Sequence, residues 1–218
     1  MLTTLLLALV LILAAGIAHA AQYTYTDLGL LEDGTTSQAN GINADGQVVG
    51  FANITGNYNR AFLWTSSGGM TSLGTLTGGS NSLAYGINAN GQVVGKSDIT
   101  GGNERAFLWT PGTPAVMKDL GTLGGTYSAA RGINDNGQVV GISSVSGDVS
   151  VLAFLWTPGT PGVMQNLDTL PGSPRSTAVG INNAGQVVGY AEDSGGGNER
   201  AFRWISGSGM TDLGTLTG

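Results

Sequence analysis

The sequence predicts an all-β fold: a repeat array of four-stranded antiparallel blades, β-propeller-like and open as an incomplete ring. Three observations carry this expectation. Glycine supplies 38 of the 218 residues, and each glycine inside a helix costs roughly 1 kcal/mol relative to alanine, so long helices are disfavoured. The same short markers recur with a period in the forties. Apolar residues come in adjacent pairs such as Val93-Val94, which a strand sends to opposite faces. A small sheet that is apolar on both faces needs a neighbour on each side, and stacked blades supply it.

The period is specific. Gly-Ile-Asn begins at Gly41, Gly86, Gly132 and Gly180, and Gly-Gln-Val-Val-Gly begins at Gly46, Gly91, Gly137 and Gly185. The tryptophans Trp64, Trp109, Trp156 and Trp204 are spaced by 45, 47 and 48 residues. The leucine of a DLG-like segment recurs at Leu28, Leu73, Leu120, Leu167 and Leu213. Residues 21–218 therefore read as four repeats of about 46 residues and the start of a fifth.

Each unit reads as four short strands. In the second unit they are Met70 to Leu76, Ser82 to Asn88, Gln92 to Ser97 and Arg105 to Thr110. Thr77 to Ser80 and Thr100 to Gly102 are turns, and Ala89-Asn90-Gly91 is a hairpin whose Asn and Gly are expected to supply positive φ. A β-solenoid competes with this reading, but it runs on shorter coils and needs no three hairpins per period.

Residues 1–20 read as a secretory signal peptide. The charge-free run Leu5 to Ala15 precedes Ala18-His19-Ala20, an Ala-x-Ala site cut after Ala20. The run falls short of the ~20 apolar residues that span a bilayer, so no transmembrane span is expected after cleavage. His19 is the single histidine and the chain has Cys 0. The mature chain would then lack Ser-His-Asp triads, Cys-His dyads and His or Cys metal ligation. A net charge of −6 argues against a nucleic-acid footprint.

The pattern DLGTL, S-x-A-x-GIN-x-x-GQVVG, RAFLW resembles the HAF-repeat family of probable extracellular bacterial proteins across essentially the whole mature chain. The chain departs at the His-Ala-Phe signature, with Arg60-Ala61-Phe62, Arg105-Ala106-Phe107, Leu152-Ala153-Phe154 and Arg200-Ala201-Phe202. The resemblance implies export and a repeat fold, and no activity. Tyr23 to Leu31 and Asp212 to Leu216 each supply a DLG-type strand, one too many for a closed ring of four blades. Truncation within a longer array is the expectation, and a spare strand on an open edge is the alternative.

Several residues are candidates for chemistry. The Asn-x-x-Gly turns at Asn43, Asn88, Asn134 and Asn182 invite a calcium reading, but their alternating positions hold a single carboxylate, Asp45, so turn chemistry is expected. The recurring Trp and Phe read as packing between blades. Arg105 with Asp119 and Arg200 with Asp212 match in charge, which predicts Arg–Asp bridges across the junction between units. A ligand surface should lie where units disagree: Asn40, Tyr85 and Arg131 (with Val179) before Gly-Ile-Asn, and Phe51, Lys96 and Tyr190 (with Ile142) after Gly-Gln-Val-Val-Gly. Ordinary drift of solvent-exposed positions accounts for the same variation.

The function expected is that of a secreted or cell-envelope repeat protein with a binding, adhesion or structural role. It would have no cofactor, no metal and no catalysis, and a glycan or an envelope protein as partner. The alternative is an extracellular carbohydrate-active enzyme using carboxylates. Glu32-Asp33 and Glu192-Asp193 are the adjacent acidic pairs, each poor as a couple because strand neighbours point to opposite faces.

Overall fold

The structure, a computed structural model, describes residues 24–159, 161–193 and 197–215. The expected signal peptide lies outside the described residues. The strands form four antiparallel sheets, each a meander of four consecutive strands. The first holds β1 (Ser37–Ile42), β2 (Val48–Ile54), β3 (Tyr58–Thr65) and β4 (Gly69–Gly74). The second holds β5 (Ser82–Ile87), β6 (Val93–Asp98), β7 (Glu104–Thr110) and β8 (Val116–Asp119). The third holds β9 (Gly124–Ile133), β10 (Val139–Val145), β11 (Val151–Thr157) and β12 (Val163–Asn166), with a 3-10 turn at Ser146–Asp148. The fourth holds β13 (Arg175–Ile181), β14 (Val187–Glu192), β15 (Glu199–Ile205) and β16 (Gly209–Asp212).

The phase of the blades differs from the expectation by one strand. The segment after each tryptophan pairs back onto the strand that holds it, as Trp64 with Met70 and Trp109 with Met117. It closes a blade rather than opening the next. In the first blade Thr65 and Gly69 sit opposite each other at the ends of a tight hairpin, whereas a longer loop leads from Gly74 to Ser82. Gly209–Asp212 is accordingly the last strand of the fourth sheet. Thr24–Leu30 pairs with no sheet.

Successive sheets pack face to face, and the first strands β1, β5, β9 and β13 follow one another along a common line. The side-chain alternation is put to a directional use. In the second sheet Val93, Phe107 and Trp109 face the preceding blade, against Val49, Ala61 and Leu73. Val94, Ala106 and Leu108 face the following blade, against Val139, Phe154 and Trp156. The third joint repeats this, with Val140, Ala153 and Leu155 on Val187, Phe202 and Trp204. Phe62, Phe107, Phe154 and Phe202 are fully buried, and the recurring tryptophans pack into the same joints, so the repeated Phe and Trp are core, as expected. The leucines of the DLG segments are wedged into the joints, Leu73 and Leu76 in the first and Leu167 and Leu170 in the third.

Polar staples accompany the apolar layers. Ser82 Oγ accepts the Ala61 N–H at 2.9 Å and donates to the Gly74 carbonyl at 2.6 Å. Ser128 and Ser176 do the same for Ala106 with Gly121 and for Ala153 with Asp168. Each buried serine thus ties its strand to the blade before it and satisfies a backbone N–H that would otherwise be buried unpaired.

Two glycine positions explain the invariant motifs. At the Gly of Gly-Ile-Asn the blades touch backbone to backbone: a Cβ on Gly41 would lie 3.5 Å from the Gly86 Cα, and one on Gly132 would lie 3.4 Å from the Gly180 Cα. The last Gly of Gly-Gln-Val-Val-Gly faces a bulge in the first strand. A Cβ there would fall 1.9 Å from the Gln38, Leu83 and Thr177 carbonyls and 2.0 Å from that of Ala129. Gly95→Ala should therefore cost about 3 kcal/mol, the upper end of ordinary single-site losses, in urea unfolding.

Among the described residues the fourth sheet does not pack back onto the first, so the four blades form an open arc, as expected for an incomplete ring. Val188 is 44% exposed, where its equivalents Val49, Val94 and Val140 are 0% exposed. Ala201 is exposed, and Arg203 stands on this face where the other blades carry Leu63, Leu108 and Leu155. Val94→Ala should accordingly lower unfolding free energy by about 2 kcal/mol. Val188→Ala should lower it by less than about 0.5 kcal/mol. Equal losses would mean that the back of the fourth blade is covered in solution.

Candidate binding surface

The axial end of each blade is organised by its Asn-x-x-Gly turn. Asn88 Oδ1 accepts from the N–H groups of Asn90 at 3.1 Å and Gln92 at 2.9 Å, closing an Asx turn. Its Nδ2 donates to Gln92 Oε1 at 2.8 Å and to the Asn134 carbonyl of the next blade at 2.9 Å. Asn43 donates likewise to the Asn88 carbonyl at 3.1 Å, and Asn134 to the Asn182 carbonyl at 2.9 Å. These asparagines form a ladder that ties four turns together. The amides of Asn43, Asn88 and Asn134 are fully engaged in it, while Asn182 closes its own turn and donates to Gln186 Oε1 at 2.8 Å. No group of three or more His, Cys, Asp or Glu able to hold a metal occurs among the described residues. The expected positive φ falls on the glycine alone, +71° at Gly91. The asparagine acts through its side chain instead.

Asp135 adds a second tier between the same turns. Its Oδ1 accepts the Ala89 N–H at 2.9 Å from the blade before, and its Oδ2 accepts Asn183 Nδ2 at 2.8 Å from the blade after. The Ala89 N–H, then Asn183, hold its carboxyl below the ordinary value of 3.8.

The position before Gly-Ile-Asn has a structural meaning that its variability alone did not reveal. Asn40, Tyr85, Arg131 and Val179 are each skipped in the pairing of the first two strands, between Ala39 and Gly41 in the first blade and correspondingly in the others. They are the bulge residues of the axial strands, and bulges re-aim side chains next to functional sites. The position after Gly-Gln-Val-Val-Gly lies on the second strand, where Lys96 pairs with Leu83 and Ala106.

Between the second and third blades these positions converge. The Arg131 guanidinium lies over the Tyr85 ring, 5.1 Å from its centroid. Lys96 Nζ lies 2.8 Å from Glu104 Oε1 on the adjacent strand. Tyr127 stands within electrostatic reach of Lys96, Glu104, Arg131 and Tyr85. Burial pulls the Lys96 ammonium down, but the hydrogen bond it donates to Glu104 and the neighbouring Tyr85, Glu104 and Tyr127 leave it above its usual 10.5. Burial pushes the Tyr127 phenol up, with Lys96 opposing, so it stays protonated at neutral pH.

Three of the six expected surface residues are thus brought together: Tyr85, Lys96 and Arg131. The others are not part of the cluster. Asn40 is held in the first blade, donating to the Ala84 carbonyl at 2.8 Å and accepting from Gln38 at 2.9 Å. Phe51 lies in the first sheet, opposite Gln38 and Ala61. Tyr190 lies in the fourth, opposite Thr177 and Ala201. Glu104 and Tyr127 are the residues that sequence reasoning missed. Both sit at places where the units also disagree (Asn59, Val151 and Glu199 for the first; Thr36, Asn81 and Arg175 for the second), so the same criterion could have found them.

The Arg–Asp pairs form, but within blades. Arg200 Nη1 lies 2.7 Å from Asp212 Oδ2 and Arg105 Nε lies 4.0 Å from Asp119 Oδ2, each across the third and fourth strands of one sheet. The re-phased blades account for this. Arg105 also donates to the Thr126 carbonyl of the next blade, as Arg60 does to that of Ser80. The acidic pairs lie on different blades. Glu32 and Asp33 line a cleft of about 520 Å³ with Arg60, Met70 and Ser72 at the first. Glu192 in the fourth lies 3.9 Å from Arg175.

Four blades sharing an axis, with a polar and aromatic cluster at one joint, define a β-propeller-like repeat protein. No protein-family model and no curated protein matches the chain. Among solved structures it is similar to TolB from Acinetobacter baumannii, with a TM-score of 0.61 and 16% sequence identity. The match covers 82% of this chain and 43% of that one, so the chain spans less than half the length of that neighbour. The likeness is one of fold, and it supports the β-propeller-like architecture.

The Asp135 bridge makes a signed prediction. A carboxyl held below its unfolded value stabilises the fold above about pH 3.8 and loses that contribution as pH falls through its depressed folded value. Asp135→Asn should therefore be less stable than the wild type at pH 6. The gap should narrow below pH 3.8, as read by denaturant unfolding at both pH values.

Proposed function

We propose that this chain is a non-catalytic binding module of the HAF-repeat type, exported to the cell envelope or beyond, whose axial surface engages a glycan or an envelope protein. The observation that carries the reading is the convergence of Tyr85, Lys96 and Arg131 with Glu104 and Tyr127 at one joint of an otherwise repetitive scaffold. The repeats agree wherever the joint is built, in the axial glycines, the asparagine ladder and the serine staples. They disagree where side chains reach the axial surface. A rigid frame that presents divergent residues is the usual arrangement of a binding site. Export rests on the Leu5 to Ala20 segment and on the family resemblance.

One observation favours the carbohydrate-active alternative, the cleft that Glu32 and Asp33 line with Arg60. Its test is sugar release from a glycan panel by the wild type and by Glu32→Gln and Asp33→Asn. Release that falls in these variants would overturn the non-catalytic reading. The binding reading is tested by probing glycan and envelope-protein arrays with residues 21–218 and with the Tyr85→Ala and Arg131→Ala variants. Binding that weakens about tenfold or more in both variants supports it. Binding indifferent to both, or none at all, overturns it.

A further inference from the structure

The joint between the second and third blades carries an unbalanced charge. Two cations and one anion meet there. Lys96 and Glu104 neutralise each other at 2.8 Å, while Arg131 forms no salt bridge with any carboxylate among the described residues. Its side chain is exposed, and its one described ring contact is the Tyr85 face. A guanidinium stacked on a ring keeps its N–H edge directed outward and pre-ordered, which lowers the entropy lost when it grips an anion. In a chain of net charge −6, this exposed cation is set apart from the general surface.

The surroundings narrow the anion. Tyr85 and Tyr127 are half-buried, so each offers part of an apolar ring together with a hydroxyl. Rings flanked by donors suit the C–H faces and hydroxyls of a sugar. An extended peptide could instead add to the axial edge of a sheet, but this edge is closed to it. The Ala84 carbonyl is taken by Asn40, a bulge interrupts the strand at Tyr85, and a Cβ on Gly86 would already lie 3.3 Å from the Arg131 carbonyl. No strand fits between backbones that close.

Taken with the binding reading above, on which it rests, the geometry points to a carboxylate-bearing glycan as the ligand of this joint: Arg131 grips a uronate carboxylate while Tyr85 and Tyr127 flank the sugar ring. Lys96, held by Glu104, stands beside them as a further N–H donor.

The experiment titrates residues 21–218 with trigalacturonate and with its fully methyl-esterified form, which has the same sugar skeleton and no charge. Calorimetry reads affinity, and tyrosine ring resonances read location. The acid should bind, with the ester at least about tenfold weaker, as expected for a lost charge-assisted bond. Arg131→Gln should lose about tenfold for the acid and change little for the ester, and Arg131→Lys should fall between. Because Arg131 is exposed, both variants should keep the wild-type circular dichroism, and Tyr127→Leu provides an independent arm that should weaken both ligands. Equal binding of acid and ester, insensitive to Arg131, would overturn the carboxylate assignment and leave the binding reading standing. Binding of a C-terminal peptide carboxylate in place of either sugar would overturn the glycan assignment. No binding of either sugar by the wild type would overturn the proposal, and the array experiment would then decide the binding reading separately.

Discussion

Four backbones have to meet along one line, and most of this structure follows from that requirement. Strands normally sit ≈ 4.7–4.9 Å apart when hydrogen-bonded and about 10 Å apart when stacked as sheets. The axial strands approach far more closely than the second figure, to the point where a Cβ on Gly132 would lie 3.4 Å from the Gly180 Cα. Glycine makes that approach sterically possible, but it leaves no side chain to hold the blades together there. The asparagine ladder fills that role. Asn43, Asn88 and Asn134 each close their own turn through Oδ1 and reach the next turn through Nδ2, so a single amide sets both the local hairpin and the distance to the neighbour. A shorter or acidic side chain in that place would keep one of these functions and lose the other.

This frame separates what repeats from what varies. A bulge at Asn40, Tyr85, Arg131 and Val179 recurs because the following glycine must be drawn inward. The residue it displaces takes no part in the ladder, so its identity is free. The joint between the second and third blades uses that freedom most fully, with an aromatic ring on one side and a guanidinium on the other. Asn40 uses it structurally, bonding the next blade's Ala84 carbonyl. One backbone device therefore yields a tie at one joint and a presented cation at another.

The repeat, the all-β class, the turns and the packing role of the aromatic residues were legible because each rests on local spacing. Strand alternation assigns Val93 and Val94 to opposite faces without knowledge of any partner. The phase of the blades was not legible, since glycine-rich segments lie on both sides of Met70–Leu76 and either could be the hairpin. The Arg–Asp pairing survived the change of phase because it rested on charge matching rather than on strand count. Glu104 and Tyr127 escaped notice for a different reason. Their significance depends on which strands face each other across a joint, and Tyr127 belongs to a different blade from Lys96 and Tyr85. Proximity across blades is set by the axial approach, which no single unit contains.

The joints are also directional, and the direction has an energetic meaning. Every blade offers Phe and Trp from its front, and the first three offer Val, Ala and Leu from their backs. An aromatic side chain buries 150–250 Å², several times what an alanine can, so an open front costs far more than an open back. The arc is arranged accordingly. At the first blade the front is covered: Leu28 and Leu31 pack against Val48, Phe62 and Trp64, in the place that Leu73 and Leu76 take at the next joint. At the fourth blade the open side is a back, and there the aliphatic row is interrupted by Arg203. A long stem with a charged end can lie along Val188 and Ala201 while its guanidinium stays in water. The face that would be most costly to expose is the one the chain itself covers, and the face left open is the one whose residues tolerate solvent best.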